Sequence, residues 1–283
     1  MTIHWYPGHI AKAERRLQEQ INLTDVVIEV LDARIPISSR YKNLGKFIGE
    51  KPRLLVLNKS DIAEPSQNAR WKDYFVAQGC KVVMTSASSA KDISSIVKNA
   101  VELGAPAIEK IVSKGRLPRP IRVVVVGMPN VGKSSIINKL IKTSKAKTGA
   151  KAGVTRSTQW IRVNPKLELL DTPGIIPTKL ESQEMGEKLA IVNSIGEAAY
   201  DRVEVAKILI ELLFRKYRDI FCRYYKLEGQ EEVPTLEDIA KSRKLLLPKG
   251  KFDTDRAASL ALTDFRHGKT GRMTLEDTRE IED

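Results

Sequence analysis

Cysteine is almost absent from this chain. Of 283 residues only Cys80 and Cys222 are cysteine, far apart and outside any Cys-x-x-Cys pair, which argues against a disulfide framework or a structural zinc. No segment approaches the roughly 18 consecutive apolar residues of a membrane-spanning helix; the longest runs, Val123 to Val126 and Ile208 to Phe214, are too short or interrupted. The opening Met1-Thr2-Ile3-His4-Trp5 lacks the basic-then-apolar order of a secretory leader. The expectation is a protein without a membrane partner, in the bacterial cytoplasm or an equivalent organellar matrix. Acidic residues are the minority charge, 35 against 48 lysines and arginines, for a net +13. Such an excess favours contact with a polyanion, nucleic acid first, over a merely solvated basic surface. Part of it clusters at Lys139, Lys142, Lys145, Lys147, Lys151, Arg156 and Arg162, whereas Glu276 to Asp283 is largely acidic.

The apolar fraction, 42% with only 6% aromatics, is that of a globular protein, and the length suits two domains. Ala11 to Ile21 reads as a helix. Apolar runs at Val26 to Leu31, Arg53 to Leu57 and Lys81 to Met84 read as strands, each feeding a loop and then a helical stretch. Residues 114–120 hold two prolines and a glycine and read as a linker. Arg122 to Val126 is the strongest strand, dominated by valine as a doubly buried strand should be. A helix at Ser135 to Ile141 and strands at Gln159 to Val163 and Leu167 to Leu170 follow. From about residue 185 the period becomes helical, with Val205, Ile208, Leu209 and Leu212 on one face. A capping box at Thr235 and Asp238 and a helix at Asp253 to Phe265 come later. The expected architecture is an α/β domain over 1–180, a mostly parallel sheet flanked by helices with its ligand crevice at the carboxyl ends of the strands, plus an all-α domain over 181–283.

Gly127-Met128-Pro129-Asn130-Val131-Gly132-Lys133-Ser134 fits the phosphate-loop pattern with a strand before and a helix after. Its backbone folds back so that successive N–H groups face phosphate oxygens, which assigns Asn130, Val131, Gly132, Lys133, Ser134 and Ser135 to the nucleotide. Lys133 neutralises charge that builds during phosphoryl transfer, and the Ser134 hydroxyl ligates Mg²⁺. Asn58-Lys59-Ser60-Asp61 alone would read as an Asx turn or helix cap. Beside a phosphate loop it reads as a base pocket. A carboxylate at Asp61 accepts both the ring N–H and the exocyclic amine of guanine, which adenine cannot offer, Asn58 bonds the other purine edge and Lys59 packs along the base. Thr85-Ser86-Ala87 would complete the pocket with backbone N–H groups. Asp171-Thr172-Pro173-Gly174 would hold Mg²⁺ through water at Asp171 and sense the γ-phosphate at the Gly174 N–H. Thr155 in Gly153-Val154-Thr155 is the expected second hydroxyl on Mg²⁺, with Thr158 as the alternative.

In this chain the base motifs precede the phosphate loop, which precedes Gly153-Val154-Thr155 and Asp171 to Gly174. That rotated order resembles the circularly permuted GTPases. Trp5-Tyr6-Pro7-Gly8-His9-Ile10-Ala11-Lys12-Ala13, Leu31-Asp32-Ala33-Arg34-Ile35-Pro36 and Asp264-Phe265-Arg266-His267-Gly268-Lys269 are similar to the ribosome biogenesis GTPase A family. The resemblance implies GTP hydrolysed to GDP, Mg²⁺ and K⁺ as cofactors, and a monomer that acts on the large ribosomal subunit through its RNA and proteins. It also points to Asn130 as a potassium ligand and to His9 as the residue that orients water; a helix-entry residue contacting RNA is the other reading of His9. Ile175 stands where many GTPases carry the glutamine that orients water, which implies slow intrinsic hydrolysis stimulated by a partner. A nucleotide-gated RNA-binding module with negligible hydrolysis is the alternative function.

Overall fold

A computed structural model describes residues 8–86, 89–148, 160–171, 174–175 and 180–281. Seven strands form one sheet: β1 (Val26–Asp32), β2 (Arg53–Asn58), β3 (Lys81–Met84), β4 (Ile121–Gly127), β5 (Trp160–Asn164), β6 (Leu167–Leu170) and β7 (Gly174–Ile175). The strand order is β3-β2-β1-β4-β6-β5, and all pairings are parallel except β5 with β6. Since β1 occupies one edge of β4, β7 continues β6 along the other, opposite Val126 and Gly127. The helices in this half are α1 (Gly8–Asn22), α2 (Leu44–Ile48), α3 (Pro65–Ala77), α4 (Ala90–Val112) and α5 (Lys133–Thr148).

Alternation along the strands sorts the side chains between the two faces of the sheet. Val26, Ile28, Val30, Val123 and Val125 pack with Ile93 and Ile96 of α4 and Ile136 and Leu140 of α5. Val27, Val124 and Val126 pack with Leu17 and Ile21 of α1 and Leu44 of α2. Leu55 and Leu57 pack with Trp71 and Phe75 of α3. Each such side chain contributes roughly 1.5–3 kcal/mol relative to an exposed one, and helices on both faces explain why β1 and β4 read as continuous apolar runs.

The carboxy-terminal part holds α6 (Gln183–Ile191), α7 (Arg202–Tyr225), α8 (Leu236–Ser242) and α9 (Thr254–Arg266). Thr235 and Asp238 form the expected capping box at α8. The turn of α7 at Tyr217 is not helical, with φ −139° and ψ 36°, and there the Tyr217 hydroxyl reaches Glu64 Oε2 at 2.6 Å and accepts from the Thr274 N–H at 3.0 Å. Beyond α9 the chain returns to the sheet-bearing half. The Glu276 carboxylate accepts from the N–H groups of Ile37 and Ser38 at 2.7 and 3.0 Å and from the Ser38 hydroxyl. The short α2 and β7 and this returning tail are absent from the sequence expectations.

Candidate functional site

The parallel register brings four strand ends to one rim of the sheet. Asp32 stands opposite Asn58, Leu57 opposite Met84, and Val126 lies between Glu29 and Gly174. The loops carrying the phosphate, base and Asp171 motifs therefore leave the sheet side by side, at the crevice where α/β sheets bind ligands.

Asn58 joins three of these motifs. Its buried amide donates from Nδ2 to the Val131 carbonyl of the phosphate loop at 2.8 Å and accepts on Oδ1 from the Thr85 hydroxyl at 2.9 Å. These contacts brace the base loop against the phosphate loop, and each end of the amide keeps a second hydrogen-bonding position for the purine edge to which the sequence reading assigned it. Ser60 N–H donates to the Thr85 carbonyl at 3.1 Å, and Ser86 N–H is held by Asp92 Oδ2 at 2.9 Å. Asp61 is exposed at the rim. Ala87, Thr155 and the alternative Thr158 lie outside the described residues, as do the side chains of His9 and Gly174 to Ile175; His9 sits in the first turn of α1.

Gly132 is required at its position for two reasons. Its φ of +101° disfavours any side chain, and an added Cβ would lie 2.1 Å from Asn58 Nδ2. Gly132→Ala is therefore expected to break the Asn58 brace. It should weaken nucleotide binding by about tenfold or more, the scale of a lost buried hydrogen bond, as a titration with a fluorescent guanine nucleotide would measure.

Lys133 opens α5, and its ammonium is buried, donating to the Met128 carbonyl at 2.6 Å. Burial pushes its pKa down to about 8. Ser134 and Ser135 are exposed on the same first turn of α5, and Asp171, also exposed, follows the last residue of β6 beside β4. A hydroxyl and a carboxylate at this mouth are the hard oxygen donors that Mg²⁺ takes alongside phosphate oxygens and water, so the residues present fit that ion. Asn130, with φ +57°, donates from Nδ2 to the Asn193 carbonyl just beyond α6 at 2.6 Å. The phosphate loop thus touches the helical part directly.

Sequence reasoning missed a buried ionic group beside the base motif. Asp32 and Arg34 are almost wholly inaccessible. Arg34 donates to Asp32 through Nε at 3.0 Å and Nη2 at 2.8 Å, while Lys59 Nζ donates to Asp32 Oδ2 at 2.8 Å. Burial alone would raise the Asp32 pKa, but Arg34 and Lys59 overcome it and hold the carboxyl well below the ordinary carboxylate range. The remaining Arg34 nitrogen, Nη1, donates to the carbonyls of Phe265 and Arg266 at 3.1 and 3.3 Å, at the end of α9. The Asp-Ala-Arg triplet that begins with the last residue of β1 was the visible signal, since one intervening residue lets an arginine fold back onto a strand-end carboxylate.

A family profile described as 50S ribosome-binding GTPase matches residues 122–222. A ribosome biogenesis GTPase A from Bacillus cereus is 41% identical over 283 residues, covering 99% of this chain and 96% of that protein. One from Priestia megaterium is 40% identical, with 100% and 99% covered. A solved GDP-bound structure of YlqF from T. maritima superposes with a TM-score of 0.67 at 29% identity, over 94% of this chain and 100% of that one.

Proposed function

Because the chain belongs to the ribosome biogenesis GTPase A family, whose members bind and hydrolyse GTP, we propose that it matures the large ribosomal subunit, docking on ribosomal RNA with hydrolysis stimulated by that partner. The observation that carries the reading is the Asn58 brace, which fixes a base motif and a phosphate loop as a single pocket. The net charge of +13 supports docking on a polyanion. In this reading a GTPase domain spans 1–180 and a helical domain 181–283 contacts the ribosome, while the basic excess itself lies in 1–180, with 30 lysines and arginines against 14 acidic residues compared with 18 against 21 in 181–283.

Within the pocket, Asp61 reads guanine, Lys59 lies along the base, and the backbone of Thr85 to Ala87 completes its surround. Lys133 and the phosphate-loop N–H groups from Asn130 to Ser135 hold the phosphates. Ser134, Thr155 and, through water, Asp171 would hold Mg²⁺, which would supply charge neutralisation for the phosphates. Asn130, whose Nδ2 is engaged by Asn193, would hold a potassium ion, which would supply charge that other GTPases obtain from an arginine. His9 orients water in place of the glutamine that Ile175 displaces. Gly174 reports the γ-phosphate to α6, which begins nine residues later. The protein works as a cytoplasmic monomer.

GTP turnover measured with and without purified large subunits, in potassium and in sodium buffer, tests this. Stimulation of about a hundredfold or more, greater in potassium, is expected from a partner that completes the site. Guanine nucleotide binding without stimulation would replace this reading with a nucleotide-gated RNA-binding module. Equal rates in the two salts would remove the potassium role of Asn130, and an unchanged stimulated rate in His9→Ala would remove that of His9.

A further inference from the structure

The base loop is held from a place more than two hundred residues away. Arg272 donates from Nε to the Ala63 carbonyl at 3.1 Å and from Nη2 to the Ser60 carbonyl at 3.2 Å. The Met273 N–H donates to the Ile62 carbonyl at 3.1 Å, and the Glu64 N–H donates to the Thr274 hydroxyl at 3.0 Å. Gly268, with φ +71°, approaches so closely that an added Cβ would stand 2.4 Å from Ile62 Cγ2 and 2.8 Å from its Cβ. On the other flank, Asp32 holds Lys59 and is itself held by Arg34, whose guanidinium binds the last carbonyls of α9. The loop from Lys59 to Glu64 is thus gripped on both sides by residues 265–274. Asp61 has no partner among the described residues, so its direction depends on this backbone grip.

We propose that Arg272 is a positioning residue for guanine recognition: with Arg34 and the segment after α9, it holds the Lys59–Asp61 loop in base-binding shape. It makes base discrimination a property of the carboxy-terminal segment as much as of the GTPase motifs. The inference rests on the reading of Asp61 as the guanine carboxylate. A loop carbonyl released from its donor lets the following peptides rotate, and a carboxylate displaced by a fraction of an ångström no longer meets both the ring N–H and the exocyclic amine. The phosphate loop, braced separately through Asn58, should not feel the change.

Arg272 is exposed, so Arg272→Ala is expected to fold, with a melting temperature close to wild type. Dissociation constants for GDP, inosine diphosphate, ADP and inorganic pyrophosphate would be measured on the full chain. Inosine lacks the exocyclic amine, so the ratio of its constant to that of GDP reads the second hydrogen bond of Asp61. In Arg272→Ala this ratio should fall by about tenfold, the scale of one charge-assisted hydrogen bond, while pyrophosphate binding stays unchanged and Arg272→Lys recovers part of the ratio. A fall in affinity that is equal for all four ligands, or an undiminished ratio, would overturn the positioning role. Wild-type protein that binds ADP as well as GDP would instead overturn the base-pocket reading beneath it.

Discussion

Lys133→Ala is expected to lower GTP turnover by roughly 10²–10³-fold, the cost of removing one preorganised electrostatic partner of the transferred phosphoryl group. The geometry explains why no neighbour should compensate. The Lys133 ammonium lies buried inside the loop at 2.6 Å from the Met128 carbonyl, and in the proposed reading it would exchange this weak neutral acceptor for phosphate oxygens when nucleotide enters. Its buried setting also sets a pH dependence. Burial holds its pKa at about 8 against an ordinary 10.5. Between these values the unfolded chain carries more protons than the native one, so the cost of the buried cation is complete below pH 8 and is relieved as pH rises toward 10.5. Nucleotide binding runs the opposite way. Phosphates favour the ammonium, so above pH 8 binding must take up a proton, and affinity should fall by up to about tenfold per pH unit. Nucleotide titration between pH 7 and 8.5, below the ionisation of the guanine ring N–H, checks this: the wild type should show the onset of the decline, and Lys133→Arg, charged throughout, should not.

What was legible in the sequence depended on how local its cause was. The phosphate loop, the base motif and the β1 and β4 strands are each written in a few adjacent residues whose backbone needs admit few alternatives: a glycine at φ +101° in Gly132, or four valines in a row on a strand covered on both faces. The capping box at Thr235 is equally local. The helix α2 escaped because five residues, Leu44 to Ile48, are too short to show a period. The role of Asn58 escaped for a different reason. Chemistry equips an amide for a purine edge and a backbone carbonyl at once, and only the register that puts Val131 within 2.8 Å reveals the second contact. The returning tail could not be read at all, because Met273, Thr274 and Glu276 bind to Ile62, Glu64, Ile37 and Ser38 through contacts that separate sequence positions by some two hundred residues.

The same non-local design makes Arg34 a sensitive structural position. Arg34→Ala is expected to destabilise the protein by roughly 3–5 kcal/mol, because it leaves a buried carboxylate without its principal partner. Three losses coincide. Asp32 keeps Lys59 and the backbone N–H of residue 34 but loses both guanidinium bonds, the carbonyls of Phe265 and Arg266 lose the guanidinium donor, and the cation no longer lies over the Phe265 ring at 5.0 Å. The wild-type contribution of Asp32 should be present above its unfolded pKa near 4 and lost as pH falls through its much lower native value. In the variant, burial is no longer opposed by Arg34, so Asp32 protonates at higher pH and ceases to be a buried charge. The gap between variant and wild type should therefore be widest near neutrality and narrow as pH falls through the raised native pKa of Asp32 in the variant, since the unfolded chains titrate alike. Urea denaturation of both proteins at pH 7 and at pH 3.5 measures this. A gap independent of pH would mean that the loss comes from the α9 carbonyls and the Phe265 contact alone, with Asp32 already satisfied by Lys59.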